Sequence, residues 1–220
     1  MAILLFYAQL NRGIATAIVA MPLPFMKQIM IKLKRWFYNL KRNRIFKPEF
    51  TLKNGQKLYF RLMLPEDQPL LYELRAHLSD QSLSRRFHVD AYRITPERVQ
   101  KIIAELVQVD NVAQTALMAL YRDDMGEHIV GVARLALVSD DASGQTAEVA
   151  VIVRDDYQQQ GMGRELLRRA LRLARLMGFK KWVAYIQTDN LGALRLFRSL
   201  KLPTQAHTSH GSTELQIAIE

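Results

Sequence analysis

The stretch AEVAVIVRDDYQQQGMGRELLRRALRLARLMG, residues 147–178, restricts what this chain can fold into more than any other. An apolar run comes first, then two glycines, then a segment with apolar residues at helical spacing. A strand therefore hands over to a helix through glycine. Glycine at such a junction lets backbone approach a neighbour closely, and a helix N-terminus offers unpaired N–H groups to an anion. Phosphate is the natural occupant.

Two familiar phosphate loops do not fit. A Walker loop needs Gly-Lys-Ser/Thr, whereas Gly163 is followed by Arg164 and Glu165. A dinucleotide fingerprint needs a third glycine three residues further on, where Leu166 stands, and a parallel βαβ setting.

The setting here is different. KLYFRLML (57–64) alternates as a strand, and Pro65, Glu66 and Asp67 open a helix with Leu70, Leu71, Leu74 and Leu78 at helical spacing. SDQSLSRRF (79–87) predicts a short helix capped by Ser79, and Thr95-Pro96 starts another that runs to about Leu106. QTALMALYR, HIVGVARLALV and TAEVAVIVR are strand-like runs joined by the short acidic separators DDMGE and SDDASG, so they predict an antiparallel meander. A helix over 160–177, the strand KKWVAYI, a helix over 190–200 and a last strand near ELQIAI follow. The expected fold class is a mixed α/β (α+β) sheet, antiparallel first and then crossing over.

The pattern that fits is Gln158-x-x-Gly161-x-Gly163 between the fourth long strand and its helix. It resembles the acetyl-CoA pyrophosphate loop of the GNAT superfamily of N-acetyltransferases. Asn190-x-x-Ala193-x-x-x-Phe197 resembles a second motif of that superfamily, in which the Asn meets the coenzyme. The element order is also the superfamily's, across roughly residues 57–219. Upstream, LMLPEDQPLLYELRAHLSDQSLSRRF is similar to the opening of the acetyltransferase domain of Pat-type bacterial protein lysine acetyltransferases. The resemblance implies a GNAT fold, with a central, mostly antiparallel twisted sheet flanked by helices. It also implies acetyl-CoA as co-substrate, held by Gln158, Gln159, Gln160, Gly161, Met162, Gly163 and Arg164 at the pyrophosphate, by Asn190 and Phe197, and by the backbone of Val151, Ile152 and Val153 along the pantetheine arm.

An amine attacks a thioester only as the free base, and a lysine ammonium has a pKa near 10.4, so such a site must remove a proton. Glu148 is the only carboxylate in TAEVAVIVR. Burial in a central strand would raise its pKa toward neutrality, and its position matches the general base of Pat-type enzymes. The competing reading is a strand-end Glu that faces solvent. Period two puts Ala150 and Ile152 on its face and Val149, Val151 and Val153 on the other. A backbone N–H aimed at the thioester oxygen would stabilise the oxyanion. Many GNAT enzymes carry a Tyr where Phe197 stands, and Phe has no proton to give the departing thiolate. With no cysteine in the chain, transfer to the amine should be direct. The expected acceptor is a protein lysine. A small amine or aminoglycoside is the enzymatic alternative, and a non-catalytic acyl-CoA-sensing module is the alternative of another class. No metal is expected, since His77, His88, His128, His207 and His210 show no ligand spacing and read as surface or loop residues. Arg85 and Arg86 read as a solvated helix face that could otherwise guide an acceptor.

The formal charge of +10 is unevenly placed. Residues 1–50 hold nine Lys or Arg against Glu49 alone, which leaves 22 basic and 20 acidic residues for 51–220. The expected division is thus a 1–50 extension and a 51–220 domain, with Met26 as an alternative translation start. Residues 1–26 are apolar but broken by Asn11, Arg12, Pro22 and Pro24, too short for a span and without the basic start of a secretory signal. KQIMIKLKRWFYNLKRNRIF (27–46) puts Ile29, Leu33, Trp36, Phe37 and Leu40 on one stripe among Lys and Arg. Such a helix either lies on an anionic membrane surface or nucleic acid, or packs its stripe on the domain. Absent cysteine fits a cytoplasmic setting, peripheral to the inner membrane surface if the helix lies there. If residues 27–47 bind an anionic surface, deleting residues 1–50 abolishes association with anionic vesicles or RNA, and salt weakens it in the intact chain. A deletion that unfolds the domain instead assigns the stripe to packing.

Overall fold

A computed structural model describes residues 49–88, 95–111, 113–138, 141 and 143–219. The basic amphipathic helix expected at 27–47 lies outside them.

The described residues form one eight-stranded sheet and five α-helices. In chain order these are β1 (Phe50–Thr51), β2 (Lys57–Leu62), α1 (Gln68–Ala76), α2 (Asp80–Phe87), α3 (Pro96–Leu106), β3 (Gln114–Asp123), β4 (Gly126–Leu137), β5 (Thr146–Val153), α4 (Met162–Met177), β6 (Lys181–Gln187), α5 (Leu191–Arg198), β7 (Thr204–Ser209) and β8 (Ser212–Ala218). The sheet order is β1-β2-β3-β4-β5-β6-β8-β7. The predicted meander is present, and every pairing is antiparallel except that of β5 with β6.

The caps read from the sequence are made. The Ser79 hydroxyl accepts from the N–H of Ser82 at the start of α2, and the Thr95 hydroxyl from the N–H of Arg98 at the start of α3. One sheet face is buried under α1, α2 and α3, where Leu71, Leu74, Leu83 and Ile103 pack with Met118 and Val132. The other face carries α4, whose buried stripe is Met162, Leu166, Leu167, Ala170, Leu173 and Ala174. Three features escaped the sequence reading. β1 is only two residues long, β7 is exposed at every position and has no apolar alternation to betray it, and His128 is a strand residue rather than a loop residue. The His128 ring lies 3.0 Å from both Glu73 Oε1 and Asp123 Oδ1, and the Glu73 hydrogen bond foremost raises its pKa.

Two departures from regular pairing shape the centre of the sheet. The β3–β4 register shifts between Ala119 and Leu120, which pair with Gly131 and Ile129, so β4 carries a bulge at Val130. Beside it, a Cβ on Gly131 would lie 2.7 Å from the Ile152 carbonyl oxygen and 3.2 Å from Val153 Cα. Only glycine lets the end of β5 come this close to β4.

A buried ion pair fixes the first turns of α4. Glu165 Oε1 accepts from Arg169 Nε at 2.6 Å, Arg168 reaches the same carboxylate, and the Arg169 guanidinium lies 3.9 Å from the centre of the Phe60 ring on β2. Burial pushes the Glu165 pKa up, but the hydrogen bonds from Arg168 and Arg169 outweigh it and hold the group below its ordinary value. A carboxylate with a depressed folded pKa contributes stability above about pH 4.5 that is lost as pH falls through the folded value. Glu165→Gln is therefore expected to cost about 3 kcal/mol at pH 7, read as a lower denaturant midpoint at unchanged slope. The gap to wild type should close on acidification.

Candidate active site

β5 and β6 run parallel but pair only over Thr146–Glu148 with Lys181–Val183. β5 continues to Val153 while β6 turns away, and the gap between them is a cleft of about 1260 Å³. Its floor is Glu148 to Val153 and its far wall includes Ala184, Tyr185 and Ile186. One end is closed by the loop before α4, and the side by Asn190 and Phe197 of the α5 segment. Of the residues singled out in sequence, the cleft thus gathers Glu148, Val151, Ile152, Val153, Gln158, Gln159, Gly161, Gly163, Arg164, Asn190 and Phe197.

Gln160 and Met162 are not on its wall. The Gln160 amide donates to the Asp156 carbonyl at 3.0 Å, and the Met162 side chain is 1% exposed in the core, which leaves Met162 only its backbone to offer. Gln158 reaches the wall, but its amide nitrogen donates to Asp155 Oδ1 at 2.7 Å, to the Val153 carbonyl at 3.2 Å and to Ser82 Oγ at 3.3 Å. Asp155 in turn accepts from the Ser79 N–H at 2.9 Å and the Ser82 hydroxyl at 2.6 Å. Burial pushes the Asp155 pKa up, yet these two serines hold it below its ordinary value. Gln158 and Asp155 together fasten the loop to the first turn of α2.

The two glycines do different work. Gly161 is the N-cap of α4 at φ +86°, a left-handed conformation that costs other residues about 1 kcal/mol or more. A Cβ there would meet only Phe50, at 3.9 Å, so the space above it is open. Gly163 has ordinary φ, but a Cβ would lie 3.0 Å from Leu196 of α5, so its role is to bring the two helices together. No side chain caps α4, and its first helical hydrogen bond runs from the Glu165 N–H to the Gly161 carbonyl at 3.1 Å. By contrast α2, α3 and α5 are capped by Ser79, Thr95 and Asn190. The α4 N-terminus therefore presents its N–H groups and positive dipole end to the cleft, as an anion site requires. Asn190 spends its Oδ1 on the Ala193 N–H at 3.1 Å.

The expectation that Glu148 is buried is overturned. Its side chain is exposed: it sits where β6 begins to diverge, on the face that α1, α2 and α3 cover further along β5. Its neighbours also differ from the sequence reading. Arg134 lies on the adjacent strand, paired with Ala150 and hence on the Glu148 face. Its guanidinium donates to the Leu106 carbonyl at 2.7 Å and to Gln114, and burial lowers its pKa while Glu148 opposes that. Arg86, read as part of a solvated helix face, is instead packed at the cleft, 5.2 Å from the Phe87 ring centre. Burial lowers its pKa as well, again opposed by the charge of Glu148. Tyr185 of β6 lines the same wall at 50% exposure, its pKa raised by burial and by Glu214 and Glu148. Arg134 and Tyr185 were missed in sequence, although each stands between apolar residues on both sides, in VARLA and VAYI. Among the described residues no group of three His, Asp or Glu side chains is placed to hold a metal ion, and no helix is long and apolar enough to cross a membrane.

This combination of a splayed sheet, a glycine loop and an uncapped helix is that of an acetyltransferase fold. The chain belongs to the acetyltransferase (GNAT) family, whose model matches residues 79–201. An acetyltransferase of Pseudomonas aeruginosa is 28% identical over 131 residues, 60% of this chain and 67% of that one. The fold is shared with the GNAT domain of S. lividans PAT (TM-score 0.66, 21% identity, 78% of this chain and 96% of that one). It is shared also with YncA of Salmonella typhimurium, solved with acetyl-CoA (0.56, 21%, 74% and 94%), and with spermidine N-acetyltransferase of Vibrio cholerae, solved with CoA and spermine (0.54, 16%, 73% and 95%).

Gly161→Asp places a strained residue and a negative charge in the open space at the head of α4. Acetyl-CoA affinity is expected to fall by roughly a hundredfold, about 2.7 kcal/mol, with the circular dichroism spectrum retained. Unchanged affinity by calorimetry would remove the anion site from this loop.

Proposed function

We propose that this acetyltransferase uses acetyl-CoA and passes the acetyl group directly to the side-chain amine of a protein lysine. The observation that carries the reading is the parting of β5 from β6 beyond Glu148, next to an uncapped helix N-terminus. A strand edge without a partner strand suits an extended pantetheine arm, and the α4 N-terminus suits a pyrophosphate. The lysine assignment is supported by the similarity of residues 62–87 to Pat-type enzymes and by the likeness in fold to the PAT domain.

In this reading the α4 N–H groups hold the pyrophosphate, Asn190 and Phe197 border the coenzyme, and the backbone of Val151 to Val153 orients the thioester. The amine nitrogen attacks the thioester carbonyl carbon, forming the C–N bond as the C–S bond breaks. Its proton goes to Glu148, directly or through water, and the departing thiolate takes a proton from solvent, because Phe197 has none to give. Exposure suits Glu148 to this work in one respect: the proton it takes up is passed on to bulk water without a relay. Arg86 and Arg134 lie on the same side of the sheet, near enough for their charges to act on each other and on Glu148.

Glu148→Gln keeps the shape of the side chain and removes its basicity. Turnover is expected to fall by about 10²- to 10⁴-fold while acetyl-CoA affinity is kept, and alkaline pH should partly restore the variant as more of the amine is neutral. Mass spectrometry of lysine-bearing proteins and of small amines after incubation with acetyl-CoA tests the acceptor. Acetylation confined to small amines would overturn the lysine assignment, and wild-type turnover by the variant would remove Glu148 from the reaction.

A further inference from the structure

A second hollow opens behind the thioester position. It has a volume of about 70 Å³ and lies between the undersides of α1, α2 and α3 and the face of β4 and β5 that carries Glu148. Its lining is mostly apolar, with Leu83 and Phe87 of α2, Val99 and Ile102 of α3, and Ala150 and Ile152 of β5, joined by Arg75, Arg86 and Arg134. Arg86, Ala150 and Ile152 line both this hollow and the large cleft, so the two spaces adjoin at the strand residues that would flank the thioester.

From this we infer that the hollow is an acyl-chain pocket, which admits the aliphatic tail of acyl-CoA thioesters longer than acetyl, up to about butyryl. The inference rests on the proposed use of an acyl-CoA donor and extends it to the choice of acyl group. Size supports it: a packed water-sized group occupies about 30 Å³, so about two fit, the two methylenes by which butyryl exceeds acetyl. Chemistry supports it too. An apolar cavity gains nothing from water but gains about 0.8 kcal/mol for each methylene it takes up, about fourfold in affinity. Position decides the occupant. The amine must attack from the side of Glu148, and the hollow opens on that same face, so an acyl tail enters it without crossing the strand. The reaction is unchanged in its balance: the butyryl carbonyl carbon exchanges its C–S bond for a C–N bond, and coenzyme A leaves.

The test uses the full chain and calorimetry with CoA, acetyl-CoA, butyryl-CoA and succinyl-CoA, followed by transfer rates for each donor on a verified amine. Butyryl-CoA is expected to bind on the order of tenfold tighter than acetyl-CoA. Val99→Phe, which fills the hollow from α3, should bring butyryl-CoA down to the affinity of acetyl-CoA. Val99→Ala, which enlarges it, should favour a longer chain, so that the idea stays testable if the larger side chain disturbs folding. Equal or weaker binding of butyryl-CoA overturns the inference and makes the hollow a packing void only. A preference for succinyl-CoA overturns it in favour of a charged tail that meets Arg86. If CoA itself does not bind, the use of an acyl-CoA donor fails and this inference falls with it; if acetyl-CoA binds and butyryl-CoA does not, only the pocket is lost.

Discussion

Everything specific about this molecule depends on a parallel pairing that stops early. β5 and β6 share three residue pairs and then separate, whereas β4 and β5 stay paired over seven, from Leu137–Ala147 to Gly131–Val153. The asymmetry has a local cause. The bulge at Val130 bends β4, and Gly131 lets the Ile152 carbonyl approach to a distance that a Cβ would forbid. β5 stays paired with β4 to its end, five residues beyond its last pair with β6. A cleft in the middle of a sheet exposes backbone that would otherwise be paired, which is costly unless water or a ligand takes the hydrogen bonds. In this fold the opening is held by packing on both flanks, α4 on one face and α1 to α3 on the other.

The loop that ends the cleft shows a similar trade. A helix N-cap side chain contributes about 1 kcal/mol, and α4 does without one although α2, α3 and α5 each have theirs. The loss is small beside what the helix buries, since one fully buried Leu contributes about 1.5–3 kcal/mol and α4 buries Leu166, Leu167 and Leu173 together with its ion pair. Order in the loop comes instead from side-chain hydrogen bonds to the start of α2. Asp155 and Gln158 bond to each other and to Ser82, and Asp155 also takes the Ser79 N–H, so the backbone facing the cleft is placed by α2.

Much of this was legible in the chain because the strongest signals are local. Strand-like runs between short acidic separators marked β3 to β5, capping residues marked α2 and α3, and Gly161 marked a junction whose φ of +86° does require glycine. Gly163 carried the same letter for another reason, the proximity of Leu196, and that contact joins residues 33 positions apart. The surroundings of Glu148 were illegible for a comparable reason. A lone carboxylate in an apolar strand reads as buried, whereas Glu148 is exposed where β6 begins to diverge. Arg86 failed in the opposite sense: a charged residue on a short polar helix reads as solvated, yet α2 turns it into the cleft. The β7 strand, TQAHTS, offers no alternation because neither of its faces is buried.

That polar strand has a consequence for the protein at high concentration. Among the described residues β7 is the outermost strand, with no neighbouring strand on one side of its backbone, the usual invitation for a second molecule to add itself to a sheet. A stable stack of strands needs interdigitating apolar side chains as well as backbone hydrogen bonds. With Thr, Gln, His and Ser along it and Ala206 as its sole apolar residue, β7 supplies the hydrogen bonds without the dry surface. At the other end of the sheet, the two residues of β1 give too short a template to hold a partner strand. The described sheet is therefore split and partly unpaired at its centre, where a ligand can use it, while its two rim strands give a second sheet edge little to grip.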